Sequence, residues 1–158
     1  MPDMLVPLYK LPSSHDLIAD LKEKGIVIRR ANPWEITPTR EFISRVFPGG
    51  WADEASVGFA RCPVSTLIAI KEGRIIGFGS YDCTRRGIFG PTGVEDSHRK
   101  QGIGAALLLR CLEAMLEMGY AYAVIGGAGP TRFYEKACGA TVIPGSVPGI
   151  YTDLLAKR

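Results

Sequence analysis

The chain has 158 residues, the length of one domain. Hydrophobic residues make up 46% and charged residues 22%, enough to bury a core and unlike a disordered composition. The 19 basic and 16 acidic residues leave a formal charge of +3, too mild to argue for nucleic acid and compatible with an anionic small molecule.

No apolar stretch reaches the ~18 residues of a membrane span, so no membrane partner is expected. The start lacks the basic and apolar runs of a signal peptide. Cys62, Cys83, Cys111 and Cys138 show no Cys-x-x-Cys spacing, and His15 and His98 lie far apart. Reduced thiols in the cytoplasm and no metal site are the simplest reading.

Residues 1 to 13 are apolar but broken by Pro2, Pro7 and Pro12, and are expected to lie across the surface. Ser13 or Ser14 can cap a short helix over His15 to Lys24 that Gly25 ends. Ile26 to Arg30 reads as a strand, and Pro38 can open a helix to about Phe47. Residues 49 to 64 fit either a long loop or a further short helix. Thr66 to Lys71 and Arg74 to Asp82 pattern as a hairpin around Glu72-Gly73. Gly87 to Val94 is the next strand, with a bulge or edge expected at Gly90-Pro91.

Gly104 to Met118 carries the clearest helical pattern, with Ala105, Leu108, Leu109, Leu112, Met115 and Leu116 as one stripe before Gly119. A strand over Ala121 to Ile125, a glycine-rich turn, a helix over Thr131 to Ala137, and two last strands at Thr141 to Ile143 and Ile150 to Leu155 complete the chain.

The most specific signal is Val94-Glu95-Asp96-Ser97-His98-Arg99-Lys100-Gln101-Gly102-Ile103-Gly104-Ala105. A strand feeding a glycine-rich turn into a helix start makes an anion site, because free N–H groups and the positive end of the helix dipole meet there. Glycines remove the Cβ atoms that would hold a phosphate off the backbone. Rossmann spacing fails, since Leu107 stands where a third small residue is needed. A P-loop fails for want of Gly-Lys-Ser/Thr.

The remaining pattern, V-x-x-x-x-R-x-x-G-x-G-A, resembles motif A of the GNAT superfamily of N-acetyltransferases. Phe133-Tyr134-Glu135-Lys136, followed by Gly139, resembles a second segment of the same family. The element order from about residue 26 to 155 is similar as well. The resemblance implies an α/β (α+β) GNAT fold. Its sheet would be mixed and mostly antiparallel, with six to seven strands splayed at the cofactor site and helices on both faces. Residues 1–25 would form an N-terminal extension with an extra helix, and 26–158 one acetyltransferase domain.

It also implies acetyl-CoA as cofactor and an amine, on a small molecule or a protein, as acceptor. Gln101, Gly102, Ile103, Gly104 and Ala105 would hold the pyrophosphate, with Arg99 and Lys100 adding charge. Thr92, Gly93 and Val94 would pair with the pantetheine arm, one N–H polarising the thioester carbonyl. Pro130 and Phe133 are expected beside the cofactor, and Tyr134 is expected as general acid to the departing thiolate. Where many members carry an asparagine, this chain has Gly127, whose backbone is a candidate to approach pantetheine directly. Where some members carry a basic glutamate on the strand before motif A, it has Ile88, so Glu95 and Asp82 are the candidate bases.

Trp51 and Tyr81 are candidates to line the acceptor pocket, and Asp53 and Glu54 could attract a cationic amine. Cys138 reads as a buried structural thiol, and His98 as facing solvent or a phosphate. The alternative function is a non-catalytic acyl-CoA-binding sensor. A homodimer is left open.

Overall fold

The structure is a computed structural model that describes residues 1–152, 154 and 155. Seven strands form one sheet: β1 (Met4–Pro7), β2 (Ile26–Arg30), β3 (Thr66–Lys71), β4 (Arg74–Tyr81), β5 (Ile88–Val94), β6 (Tyr122–Ile125) and β7 (Thr141–Val142). Their spatial order is β2-β3-β4-β5-β6-β1-β7, and only β5 and β6 run parallel. Five α-helices cover it: α1 (His15–Glu23), α2 (Ile36–Val46), α3 (Trp51–Ser56), α4 (Ile103–Glu117) and α5 (Thr131–Cys138). The sheet stays open, and helices lie on both faces as the resemblance implied. One core gathers α4 and the N-terminal segment, with Leu21, Phe89, Leu107, Leu108 and Tyr134. The other gathers α2 and α3, with Phe42, Ile43, Phe47, Ala55 and Phe78.

The N-terminal segment departs from the expectation of a surface stretch. Met4 and Val6 are fully buried, and β1 lies between β6 and β7. The prolines flank the paired residues rather than prevent pairing, since Pro7 is the last partner, opposite Tyr122. Alternation of Met4 and Val6 with half-buried Leu5 and Pro7 is an inner-face pattern over a very short run. None of the described residues in Ile150–Leu155 is in a strand, and Asp153 lies outside the described residues.

The undecided stretch 49–64 contains α3. The helix expected from Pro38 begins earlier, after a single turn over Pro33–Glu35. There the Asn32 and Glu35 side chains cap each other's backbone N–H groups. Glu35 also receives two bonds from the Arg29 guanidinium, at 2.8 and 2.6 Å. That contact holds the Glu35 carboxyl down at about 2. In α4 the buried arc is wider than one stripe, taking in Ile103, Ala106, Leu107 and Cys111, while Leu116 is exposed. The helix sits between the sheet and α1, so two faces need apolar cover.

Candidate functional site

Two strands part company at the centre of the sheet. β6 pairs with β5 only at Ile88 and Phe89, opposite Val124 and Ile125. Beyond them β5 keeps only its other neighbour, with Thr92, Gly93 and Val94 opposite Gly79, Phe78 and Gly77 of β4. Between Phe89 and Thr92 the β5 strand carries one residue more than β4. That bulge lies at the expected Gly90-Pro91 and turns the strand away from β6. The β6-facing edge of Thr92–Val94 is therefore left for another extended molecule to pair with.

Below Val94 the chain turns into α4. The Arg99 guanidinium donates through Nε to the Val94 carbonyl at 3.2 Å and pairs with Asp96 at 2.8 Å. It stitches the turn as well as charging it. Lys100 and Gly102 both adopt positive φ, 62° and 89°. For lysine that conformation is uncommon, and such strain is tolerated where a turn must present its backbone. The positive φ is what favours glycine at Gly102; a Cβ there would also lie 2.8 Å from Leu17 Cδ1, a side-chain end that can move aside.

The first bond of the helix runs from Ala106 N–H to the Gly102 carbonyl. The N–H groups of Gln101, Gly102, Ile103, Gly104 and Ala105 make no hydrogen bond among the described residues, and no side chain caps them. They form a cluster of unsatisfied donors at the positive end of a 15-residue helix.

α5 closes this site from the other bank. Phe133 Cζ lies 3.9 Å from where a Cβ on Gly104 would sit, and Val94 Cγ2 lies 3.8 Å from it. The Phe133 ring stands edge-on to Tyr134, with centroids 5.0 Å apart. Tyr134 is buried, 7% exposed, and its hydroxyl has no hydrogen-bond partner among the described residues. Burial, reinforced by Cys138, pushes the phenol pKa up, so the group keeps its proton at neutral pH. Pro130 is exposed at the entry to α5. Cys138 is a buried thiol pushed up to about 11, bonded to the Tyr134 carbonyl at 3.2 Å, as befits a structural role.

The loop before α5 is fastened by the chain's far ends. Gly127 N–H donates to Asp3 Oδ1 at 2.8 Å, and Ala128 N–H to the Pro2 carbonyl at 2.7 Å. The N–H of Gly127 is thus engaged with protein, which leaves its carbonyl as the group for the expected approach to pantetheine.

The remaining candidates are scattered. Asp82 is 2% exposed, accepts from Gly87 N–H at 2.7 Å and from the Tyr120 hydroxyl at 3.0 Å, and ties the β4–β5 turn. It stands by Ile88, at the joined end of the strands, roughly 20 Å of strand from Val94. Glu95 pairs with Arg45 and with His98, each at 3.3 Å, beside the turn into α4. Neither carboxylate is brought to Tyr134 as a free base.

Tyr81 is 1% exposed, packs in the α4-side core and accepts a bond from Arg30 at 2.7 Å. Trp51 is on the opposite face, 38% exposed, and packs tilted against Phe47 and edge-on to Phe78, with centroids 5.5 and 6.4 Å apart. Phe47, which the sequence reading had only as a helix end, lies against Gly93. A Cβ on that glycine would fall 2.4 Å from the ring. An aromatic after a helix and a glycine 46 positions later share no local signal.

Fold and site together define an open α/β domain whose parted parallel strands meet an uncapped, glycine-rich helix start. A profile of the acetyltransferase (GNAT) family matches residues 28–140. The chain belongs to the GNAT family of acetyltransferases. No curated protein sequence matches it.

Among solved structures it is similar to the GCN5-related glucosamine N-acetyltransferase region of a fungal multi-domain β-N-acetylglucosaminidase. The TM-score is 0.73 at 16% identity, over 90% of this chain and 19% of that one. It is also similar to a GCN5-related N-acetyltransferase from Sphaerobacter thermophilus, with TM-score 0.63, 21% identity and coverage of 90% and 48%. A GNAT family acetyltransferase from Brucella melitensis, solved with acetyl-CoA, gives TM-score 0.56 and 17% identity over 75% of this chain and 86% of that one. The chain thus spans under half the length of the first two. At these identities the likenesses show the fold.

Proposed function

We propose that this chain is an N-acetyltransferase that moves an acetyl group from acetyl-CoA to a primary amine by direct attack in a ternary complex. The observation that carries the reading is the run of unbonded N–H groups from Gln101 to Ala105, set at the gap between β5 and β6 and flanked by Phe133 and Tyr134. The residues fit the diphosphate chemically: five backbone donors and a helix dipole, with Arg99 and Lys100 exposed beside them. The free edge of Thr92–Val94 suits an amide-bearing arm such as pantetheine, with Phe133 across Gly104 from Val94 and Pro130 at the entry to α5.

When bound, acetyl-CoA supplies an activated acyl group with a thiolate leaving group. Backbone N–H groups on the free edge of β5 are positioned to polarise a carbonyl. Tyr134, protonated and unpartnered, can give its proton to sulfur. An alkyl amine with pKa ~10.4 must first lose a proton, at a cost of ~4 to 5 kcal/mol at neutral pH. Holding both reactants in line can offset ~7 to 11 kcal/mol of the barrier. The four free cysteines, three of them buried, support a reducing compartment such as the cytoplasm. No helix among the described residues is long and apolar enough to cross a membrane.

Calorimetry with CoA, ATP and NAD, followed by acetyl-CoA turnover over a panel of diamines, amino sugars, amino acids and lysine peptides, tests the reading. Selective CoA binding with turnover of at least one amine is expected. CoA binding without turnover of any amine would leave the sensor reading in its place.

A further inference from the structure

The gap between β5 and β6 has a closed end. The strands pair only at Ile88 with Val124 and Phe89 with Ile125, so they fork at Gly90 and Gly126. The unbonded N–H groups from Gln101 to Ala105 lie at the other end, past Val94. An arm that leaves a diphosphate there and pairs along the free edge of β5 runs back toward the fork. Pantetheine has about the backbone length of four residues, the step from Val94 to Gly90. Its thioester therefore arrives at the bulge, and the acyl group it carries arrives at the fork.

A side chain from the segment after β7 is laid across that fork. Phe89 and Ile125 point into the α4-side core. Ile88 and Gly126, each one residue away along its strand, therefore face the α3 side. A Cβ on Gly126 would lie 3.4 Å from Ile88 Cγ2 and 3.5 Å from the Tyr151 hydroxyl. A Cβ on Gly127 would lie 3.3 Å from Tyr151 Cε2. The phenol ring thus rests over two successive glycines of the β6 bank, and its hydroxyl end reaches toward Ile88 on the β5 bank.

The ring is held in place by contacts other than its own. Ser146 Oγ donates to the Ile143 carbonyl at 2.7 Å and accepts from Asp3 N–H at 2.9 Å. Asp3 Oδ2 lies 3.1 Å from where a Cβ on Gly149 would sit, while Oδ1 accepts from Gly127 N–H. One carboxylate so fixes both the glycine bed and the segment that carries the ring. The acidic pair of α3 is taken up elsewhere, Asp53 by Arg40 and Glu54 by the Thr84 hydroxyl.

Resting on the acetyl-transfer reading above, we propose that Tyr151 closes the acyl end of the cofactor channel and restricts the donor to short acyl thioesters, acetyl first. A sulfur drawn to Tyr134 on the α4 face leaves the acyl group ahead of it, toward Ile88 and the Tyr151 ring. An acetyl methyl stops short of the ring. A butyryl or longer chain must displace the ring or hold the sulfur back from Tyr134. Tyr151 is 41% exposed, so the wall is one ring thick and a single substitution opens it to solvent.

The test titrates CoA, acetyl-CoA, butyryl-CoA and hexanoyl-CoA into wild type, Tyr151→Phe, Tyr151→Leu and Tyr151→Ala by calorimetry. It also measures kcat/KM for each acyl donor with the best amine of the panel. Wild type should favour acetyl-CoA over butyryl-CoA at least about tenfold in kcat/KM. Tyr151→Ala should raise the butyryl-to-acetyl ratio at least about tenfold, while CoA itself binds every variant alike. Tyr151→Phe keeps the ring and should keep the acetyl preference, and Tyr151→Leu should fall between. Should the Ala variant lose CoA affinity, the Leu variant carries the same comparison.

An Ala variant with the wild-type donor profile, or a wild type that uses butyryl-CoA as well as acetyl-CoA, overturns the gate and leaves acetyl transfer standing. Binding needs no acceptor. A wild type that binds acetyl-CoA and turns over no amine therefore overturns acetyl transfer alone, and the gate then stands if Tyr151→Ala gains affinity for butyryl-CoA and falls if it does not. A wild type that binds no CoA overturns both.

Discussion

The two banks of the parted sheet are held by different kinds of contact. On the β5–α4 bank, Val94, Arg99, Gly102 and Gly104 lie within eleven residues, and Arg99 bonds to Val94 and Asp96 inside the same window. On the β6–α5 bank, Gly127 is held by Asp3 and Ala128 by Pro2, partners more than 120 positions away. Asp3 is itself held by the Ser146 hydroxyl at 2.9 Å. The side proposed to grip the cofactor is a local device carried by a short motif. The facing side is fastened by a long-range assembly of both chain ends. Cofactor affinity and catalytic alignment should therefore respond to different mutations.

The largest effect is expected on the α5 bank. Tyr134→Phe keeps the ring and its packing and removes the proton, so kcat should fall 10- to 100-fold with CoA affinity unchanged. An undiminished rate at saturating substrates would sink the acid role. On the opposite bank, Gly104→Val should weaken CoA binding by about tenfold or more. Its branches would crowd the donors beside Phe133 and Val94, whereas the 3.8 and 3.9 Å contacts of a lone Cβ leave Gly104→Ala close to neutral. Equal calorimetric affinities for all three proteins would count against the cradle.

The comparison is sharpened by Asp3→Ala. It leaves a half-buried amide without its protein partner and frees the turn into α5, at a cost of about 1–3 kcal/mol, or a Tm fall of roughly 2–10 °C at this chain length. Turnover should suffer more than CoA affinity. An Asp3→Ala protein that loses CoA binding in step with turnover would show the banks to be one unit.

This division also says what could be read in the amino-acid order. Motif A was legible because its chemistry is contiguous, with glycines, arginine and helix pattern in one window. Phe133-Tyr134 was legible as a second short window. The bulge at Gly90-Pro91 was legible because proline cannot donate to a ladder.

Residues 1 to 13 misled because three prolines suggested a surface path, while a four-residue strand has too few alternations to register. Trp51 was expected only as a candidate to line the acceptor pocket, and nothing in its neighbourhood announces that Phe47 and Phe78 hold it. Tyr81 and Asp82 looked available because sequence cannot show Arg30, Gly87 and Tyr120 converging on them. Glu54 could be noted only as one acidic residue of two, and its sequence neighbours do not signal that the Thr84 hydroxyl donates to it.

The smallest effect concerns a local contact away from the gap and checks whether local contacts carry stability at all. Glu35 is held down to about 2 in the folded chain by Arg29, from an ordinary value of 4.5. Its folded pKa is depressed, so the stabilisation is complete above about 4.5 and drains away as pH falls from there toward 2. Arg29 is 37% and Glu35 20% exposed, so solvent and salt screen the pair, and its worth is that of a surface bridge with good geometry.

Glu35→Gln should lower Tm by a few degrees at pH 7 and hardly at all at pH 2, and added salt should narrow the gap at neutral pH. A variant equally destabilised at both pH values would mean that the charge of Glu35 is not what stabilises the fold, and Glu35→Ala, which also removes the cap on Asn32, would then show the larger loss. The short-range bond pattern before α2 would then matter more than the ion pair.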